Sequence, residues 1–147
     1  MRKQLGATTV EFALVLMIFL TFLLGVLDFG RMLWTWNAAN EATRWGARVA
    51  VVCDVDNDAF VLAKMQTYLP QLTAENVKVD WYVGSDLSTT CTADDCTAVN
   101  VSIEELDYQW ISPIGFGAYS LIRMPSFSTY LPREIMGQDP DSASVCS

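Results

Sequence analysis

Histidine is absent from the 147-residue chain. Its absence removes the commonest general base and every nucleophile pair in which a histidine activates serine or cysteine. No glycine-rich phosphate loop follows a candidate strand. We therefore expect no enzyme activity, no catalytic residue and no cofactor.

Positive charge is scarce after residue 53. Residues 54–147 hold four basic and fourteen acidic residues, whereas residues 1–53 hold five basic and three acidic residues. Nucleic-acid binding needs patches of lysine and arginine that contact phosphate. The acidic part of the chain is therefore not expected to bind nucleic acid.

Charge is also missing from a long run near the start of the chain. The sixteen residues from Phe12 to Leu27 are uncharged, and Arg2 and Lys3 precede them. As a helix the run measures about 24 Å, and Thr8, Thr9 and Val10 before it, or the aromatic residues after it, bring it near the roughly 20 residues that a bilayer needs. Basic residues before a membrane helix favour a cytoplasmic N-terminus, so the acidic part is predicted to be exported.

Glu11 is the one acid at the start of this apolar run. A carboxylate toward the centre of a membrane helix costs roughly 2.5–3.5 kcal/mol, less near the interface, and usually has a function. The alternative is an ordinary signal anchor in which Glu11 extends to the lipid headgroups.

The helix is predicted to continue to Val52, because no proline interrupts it. Asp28 and Arg31 form an i, i+3 pair that neutralises charge near the outer leaflet. Beyond them, apolar residues recur every three or four positions and predict an amphipathic face made of Trp34, Ala38, Ala42, Trp45, Val49 and Val52.

The exported part reads as a mixture of helix and strand. Asp58 is the expected N-cap of a helix over 59–69, which Pro70 ends. Alternating residues predict strands over 77–83 and 126–131, and another over 98–103 that continues through Tyr108 and Trp110. Residues 111–123 give no assignment. The expected fold class is α+β, with a long helix carrying a second helix and a small antiparallel sheet.

All four cysteines lie beyond the apolar run. An even number in an exported domain favours disulfides, and four cysteines allow three pairings. Four residues lie between Cys91 and Cys96, which suits a small loop and leaves Cys53 for Cys146. A four-thiolate zinc site, the alternative, would need two close pairs, and only one is present.

Two acidic groups are candidate cation sites. Asp54, Asp56 and Asp58 begin like a calcium loop, but Ala59 and Met65 stand where that loop needs glycine and glutamate. The second group is Asp94 with Asp95. Glu104, Glu105 and Asp107 are candidates for the paired carboxylates of a hydrolase, but such a site needs acids that converge from separate segments. Solvated loops and an exposed edge are the favoured interpretation of all of them, so no metal site is expected.

Residues 2 to 53 resemble a known family. A short basic leader, Gly6, and a segment with glutamate at its fifth position (ATTVEFALVL) resemble a type IV prepilin. Together with LDFGRMLWTWNAANEATRWGARVAVV, they resemble the TadE-like pseudopilins, or minor pilins, of the tight-adherence (Tad) pilus. Phe12 stands where the major pilin usually has tyrosine, which favours a minor subunit.

The resemblance implies a processing site and an assembly site. A prepilin peptidase would cut between Gly6 and Ala7, and Glu11, with Phe12 beside it, would guide docking of the helix. The implied divisions are a leader (1–6), a transmembrane segment (7–33), a spine (34–53) and an exported domain (54–147).

The resemblance also implies a structural function. The protein would help to start, tip or stabilise a Tad-type adhesion pilus from the bacterial inner membrane or within the pilus. Its partners would be the prepilin peptidase, sibling minor pilins, the major pilin and the assembly platform. The competing class is an exported binding module or enzyme held by an uncleaved anchor. A secreted protein is a third class, but no A-x-A cleavage site follows the apolar run.

Overall fold

The computed structural model of the chain describes residues 5–53, 57–84, 89–91, 96–112 and 121–132. Two helices and five strands follow one another in this part of the chain. In order they are α1 (Leu5–Val52), α2 (Asp58–Met65), β1 (Val77–Tyr82), β2 (Ala98–Ile103), β3 (Asp107–Gln109), β4 (Leu121–Arg123) and β5 (Phe127–Pro132). The predicted α+β class, with a long apolar N-terminal helix, a second helix and a small antiparallel sheet, is confirmed.

The chain divides into two compact units. The first contains α1 as far as Trp34 together with Asp107–Ile122, and the second contains Thr35–Leu106 and the described residues from Arg123 on. The first unit includes β3, which pairs with β4 in a two-stranded sheet. The second holds the three-stranded sheet, in which β2 lies between β1 and β5.

Both pairings of β2 are antiparallel. Val101, at the middle of β2, is opposite Val79 of β1 and Thr129 of β5. Five of the six residues of β2 are buried, because a central strand packs on both of its faces. The core of the second unit lies between this strand, α2 and the second part of α1, and contains Val99, Val101, Ile103, Val61, Met65, Leu69 and Leu72.

Small residues form the buried face of α1 in the second unit. Ala39, Ala42, Ala47 and Ala50 are fully buried. At Gly46 an added Cβ would lie 2.6 Å from Sδ of Met65 and 3.3 Å from Cγ1 of Val101. The close approach of α2 and β2 therefore requires glycine at this position.

The predicted amphipathic face was therefore wrong in its large residues. Trp34 is 63% exposed, Trp45 is exposed, and Val49 and Val52 are half-buried, while Ala42 is buried as expected. Size explains the difference, since a helix face that meets a strand and a second helix at close range has no room for an indole. Trp45 instead lies beside Tyr68, with the ring centroids 6.2 Å apart.

Two element boundaries also differ from the predictions. The continuation of the second strand through Tyr108 and Trp110 is wrong, because Glu105 adopts a left-handed φ of 54° and ends the strand before β3. The second helix ends at Met65 rather than at residue 69, since Thr67 and Tyr68 donate to carbonyls three residues back in tightened turns.

The structure also differs from the prediction at the N-cap of α2, and it assigns part of the segment that the sequence left open. Asn57, not Asp58, is the N-cap of α2, and its carbonyl accepts from the N–H groups of Phe60 and Val61. Residues 121–123, which the sequence left without assignment, form β4.

Candidate functional site

The predicted processing site lies in the first turn of α1. Gly6 and Ala7 are both helical and exposed. A Cβ built at Gly6 has no neighbouring atom within 4 Å. The peptide between the two residues is therefore not covered by the described part of the chain.

The predicted assembly residues follow within the next two turns. Glu11 is exposed, and Phe12 is 68% exposed. No ion pair among the described residues includes Glu11. Ala7 and Glu11 are four residues apart on the helix and so share a face.

The apolar run beyond Glu11 is uncovered throughout. Every large apolar side chain from Val10 to Leu27 is exposed. The segment Gly6–Val52 is long and apolar enough to cross a membrane, and its most apolar 18-residue window has a mean hydropathy of 2.6 with none of it buried. One long apolar N-terminal helix of this kind fits a single-pass membrane anchor.

Asp28 ends this run and is the one buried residue in the first unit's portion of α1 as far as the structure describes it. It is 3% exposed. Its Oδ1 accepts from Nη1 of Arg31 at 3.1 Å, and its carboxylate also accepts from the backbone N–H groups of Ile111, at 3.2 and 3.3 Å, and Ser112. Charge-assisted hydrogen bonds of this kind are roughly twice as strong as neutral ones. Asp28 therefore fastens the segment that follows β3 to α1.

Tyr108 makes a second connection at the same place. Its hydroxyl donates to the backbone carbonyl of Asp28 at 3.0 Å. The guanidinium carbon of Arg31 lies 5.6 Å from the centre of the Tyr108 ring, and the Trp110 ring meets it edge-on at 6.1 Å. Burial raises the pKa of Tyr108, with Arg31 opposing and Asp28 reinforcing the shift.

Sequence reasoning found half of this cluster. The pairing of Asp28 with Arg31 was predicted and is present. The involvement of Tyr108, Ile111 and Ser112 was missed. The one available signal was the acid directly after the apolar run, because a carboxylate there needs more hydrogen-bond donors than one exposed arginine supplies.

The cysteines are partly described. Cys91 and Cys96 form a disulfide, with their Cα atoms 5.4 Å apart. Cys53, directly after α1, is buried. Cys146 lies outside the described residues, so its pairing with Cys53 stays a prediction.

The acidic groups that the sequence singles out are only partly described. There, no group of three or more histidine, cysteine, aspartate or glutamate residues could hold a metal ion. Glu104 pairs with Lys78, which raises the pKa of that lysine, and Glu105 pairs with Arg123. Asp54, Asp56, Asp94 and Asp95 lie outside the described residues.

One shallow groove of about 270 Å³ lies in the second unit. It runs between α2 and β1 and is lined by Asp58, Ala59, Leu62, Ala74, Val77 and Val79. Asp58 is the one residue of this lining with an ionisable side chain, so the lining offers no pair of groups for acid–base catalysis.

Comparison with known proteins identifies the N-terminal part. The family model described as "TadE-like protein" matches residues 6–48. The resemblance inferred from residues 2 to 53 is confirmed over that range. No curated protein and no solved structure matches the chain. The matched range covers Gly6, Ala7, Glu11, Phe12 and Asp28, and it extends into the small-residue face of α1.

Proposed function

We propose that this TadE-like chain is a minor pilin, or pseudopilin, that takes part as a structural subunit in assembling a Tad-type adhesion pilus. One observation carries the proposal. The residues that match the TadE-like family include the stretch of α1 whose large apolar side chains the fold leaves uncovered. Such a surface must be covered by lipid or by other helices, and a pilus subunit uses the two in turn.

The mechanism starts with removal of the leader. Cleavage between Gly6 and Ala7 gives Ala7 a free ammonium group on the same helix face as Glu11. In a setting without water, an ammonium and a carboxylate gain by pairing, either within one chain or between neighbours that are staggered along a filament. Glu11 thereby sets how far one helix slides along the next, while Phe12 and the apolar side chains after it supply contact area.

This mechanism assigns a role to each part of the chain. Residues 1–6 are the leader, 7–33 cross the inner membrane once, 34–53 form the spine, and 54–147 are exported. The partners are the prepilin peptidase, sibling minor pilins, the major pilin and the assembly platform. The N-terminus is cytoplasmic and the C-terminal domain is exported.

Processing gives the most direct test of this proposal. N-terminal sequencing of protein extracted from the membrane should begin at Ala7. Gly6→Val should block cleavage, because the peptidase must close around a residue without a branched side chain. Gly30→Val is the matched control, since Gly30 is also an exposed glycine of α1 with nothing within 4 Å of its Cβ position. The control should be cleaved normally.

Three results would contradict the proposal. A mature chain that begins at Met1 would indicate an anchored binding module or enzyme, and one that begins after Leu27 would indicate a secreted protein. If Gly6→Val is still shortened by six residues, the assignment to the prepilin class loses its main support.

A further inference from the structure

A second apolar surface belongs to the same unit as the uncovered part of α1. Ile111 is 70% exposed, two residues beyond the end of β3, and Leu121 and Ile122 of β4 are also exposed, Leu121 by 56%. We call these three residues the apolar patch. Leu121 and Ile122 are neighbours on β4 and therefore face opposite sides of the two-stranded sheet, so this sheet exposes a large aliphatic side chain on each face. Together with Ile111 in the next turn, they indicate a part of the first unit that another apolar phase surrounds.

The depth of Asp28 in the bilayer indicates the depth of this patch. The step from Phe12 to Asp28 spans about 24 Å of helix, and the hydrocarbon core of a bilayer is about 30 Å thick. With Glu11 at the inner boundary, Asp28 lies within a few ångströms of the outer boundary. Apolar side chains continue past it, since Phe29 and Leu33 are exposed on α1.

Hydrogen bonds bring Ile111 to that depth, and the pairing of β4 with β3, which contains Tyr108, keeps Leu121 and Ile122 in the same small sheet. The N–H groups of Ile111 and Ser112 donate to the Asp28 carboxylate, and the Tyr108 hydroxyl donates to the Asp28 carbonyl. Tyr108, Ile111 and Ser112 are thus hydrogen-bonded to a residue at the edge of the hydrocarbon core. The exposed side chain of Ile111 has little room to reach bulk water from there.

The residues beside the apolar patch are of types that suit a membrane–water interface. Tyr108 and Trp110 are the aromatic types that collect at the membrane–water interface. Arg31 is half exposed, and its long apolar stem lets its charge reach the headgroups. Asp107 and Gln109, on the other residues of β3, are exposed and polar.

We propose that Ile111, Leu121 and Ile122 insert into the outer leaflet of the membrane, as a second membrane contact continuous with the apolar surface of α1. Asp28 is the residue that positions them. This proposal rests on the proposed membrane placement of α1. The covering partner is lipid, because the patch belongs to the unit of the spanning helix and shares the depth at which that helix leaves the bilayer.

Quenching by brominated lipid tests the proposal on the full chain. Single cysteines are placed at Ile111, Leu121, Leu24 and Glu75, labelled with bimane under non-reducing conditions, and reconstituted in phosphatidylcholine vesicles with brominated acyl chains. The unsubstituted chain gives the labelling background. Leu24 lies in the apolar run and reports the anchor, whereas Glu75 is an exposed acid of the exported part.

We expect strong quenching at Leu24 and at least threefold more quenching at Ile111 and Leu121 than at Glu75. Quenching at Leu24 alone overturns this proposal but leaves the membrane anchor standing. No quenching at Leu24 overturns the anchor itself, and with it the proposed function. Shielding of Ile111 by a sibling subunit without lipid quenching would assign the patch to a protein contact instead.

The variant Asp28→Ala tests whether Asp28 is the residue that holds Ile111 in the membrane. Quenching at Ile111 should fall to the value at Glu75, while quenching at Leu24 stays unchanged. Asp28→Asn, which keeps an acceptor oxygen, should retain part of the effect. If Ile111 remains fully quenched in Asp28→Ala, the assignment of Asp28 as the positioning residue is wrong.

Discussion

The two parts of α1 use apolar residues in opposite ways. Before Thr35, the large apolar side chains are exposed except for the half-buried Met32 and, among the residues whose burial the structure describes, Asp28 alone is buried. From Thr35 to Val52, the buried residues are small, and two tryptophans, Trp36 and Trp45, are exposed. Hydrophobicity alone therefore does not predict burial within this chain. The large side chains of the first part are left uncovered by the described chain, whereas the small ones of the second part pack closely inside it.

The largest expected effect is the difference in unfolding free energy between replacing a buried phenylalanine and replacing an exposed one. Phe127 is 5% exposed, and its ring meets Trp36 edge-on with centroids 5.2 Å apart. Phe127→Ala should lower the free energy of unfolding by about 3–5 kcal/mol. Phe22→Ala, in the exposed run, should change it by less than about 0.5 kcal/mol. Chemical denaturation in detergent micelles, followed by tryptophan fluorescence, measures both, and equal losses would contradict the comparison.

Two glycines of α1 give the next contrast. Gly46→Leu would drive a side chain into Met65 and Val101, and should lower the free energy of unfolding by roughly 1–3 kcal/mol. Gly30→Leu meets nothing within 4 Å and should leave it unchanged or raise it slightly, since leucine is the better helix former. Thermal unfolding of the two variants decides this, and a loss in Gly30→Leu as large as in Gly46→Leu would refute the packing account.

Tyr108 is expected to have a smaller and pH-dependent effect. Tyr108→Phe removes the hydrogen bond to the Asp28 carbonyl and should lower local stability by about 1 kcal/mol, read as faster amide exchange at Ile111. Because burial raises the pKa of Tyr108 above its ordinary value of 10.0, its contribution is complete below that pH and is lost as the pH rises through the shifted value. The phenylalanine variant should lack this alkaline loss, and an identical loss in both proteins would assign it elsewhere.

The smallest effect is expected at the surface of the second unit. Lys78 and Glu104 form an ion pair between half-exposed side chains, and such pairs contribute little. Lys78→Met should lower the melting temperature slightly at low salt and not at all in 1 M salt. The raised pKa of Lys78 means that the contribution is present at neutral pH and is lost as the pH rises beyond 10.5. A large effect that persists in high salt would show that the pair is structural.

Local patterns were enough to predict most of the elements. Alternation identified β1 and β2, and the absence of proline together with the long apolar run identified α1. Periodicity wrongly predicted that Trp34 and Trp45 would be buried. It shows which residues share a face of the helix, but not how closely another element packs on that face. The close approach at Gly46 depends on Met65 and Val101, which are far away in the sequence.

The candidate site also has a part that local spacing predicts and a part that only the fold shows. Gly6, Ala7 and Glu11 could be named from neighbouring residues, because their proposed roles depend on spacing along one helix. The pairing of Asp28 with Arg31 could be predicted in the same way, but Tyr108, Ile111 and Ser112 could not, since they lie 80, 83 and 84 residues further along the chain. A buried carboxylate signals that donors are needed, but only the fold shows that Ile111 and Ser112 supply them.

Pilus assembly by a Glu11 variant tests the central claim most directly. Glu11→Ala should give a normal membrane level, normal cleavage after Gly6 and an intact Cys91–Cys96 disulfide, but clearly fewer pili and weaker crosslinking to sibling subunits. Glu11→Gln should fall between, because it keeps shape and hydrogen bonding without the charge. Glu41→Ala, an exposed acid in the second part of α1 that pairs with Arg44, is the matched control and should assemble normally. If Glu11→Ala forms pili and crosslinks as the parent does, the uncovered face of α1 does not dock through this carboxylate and the account is contradicted.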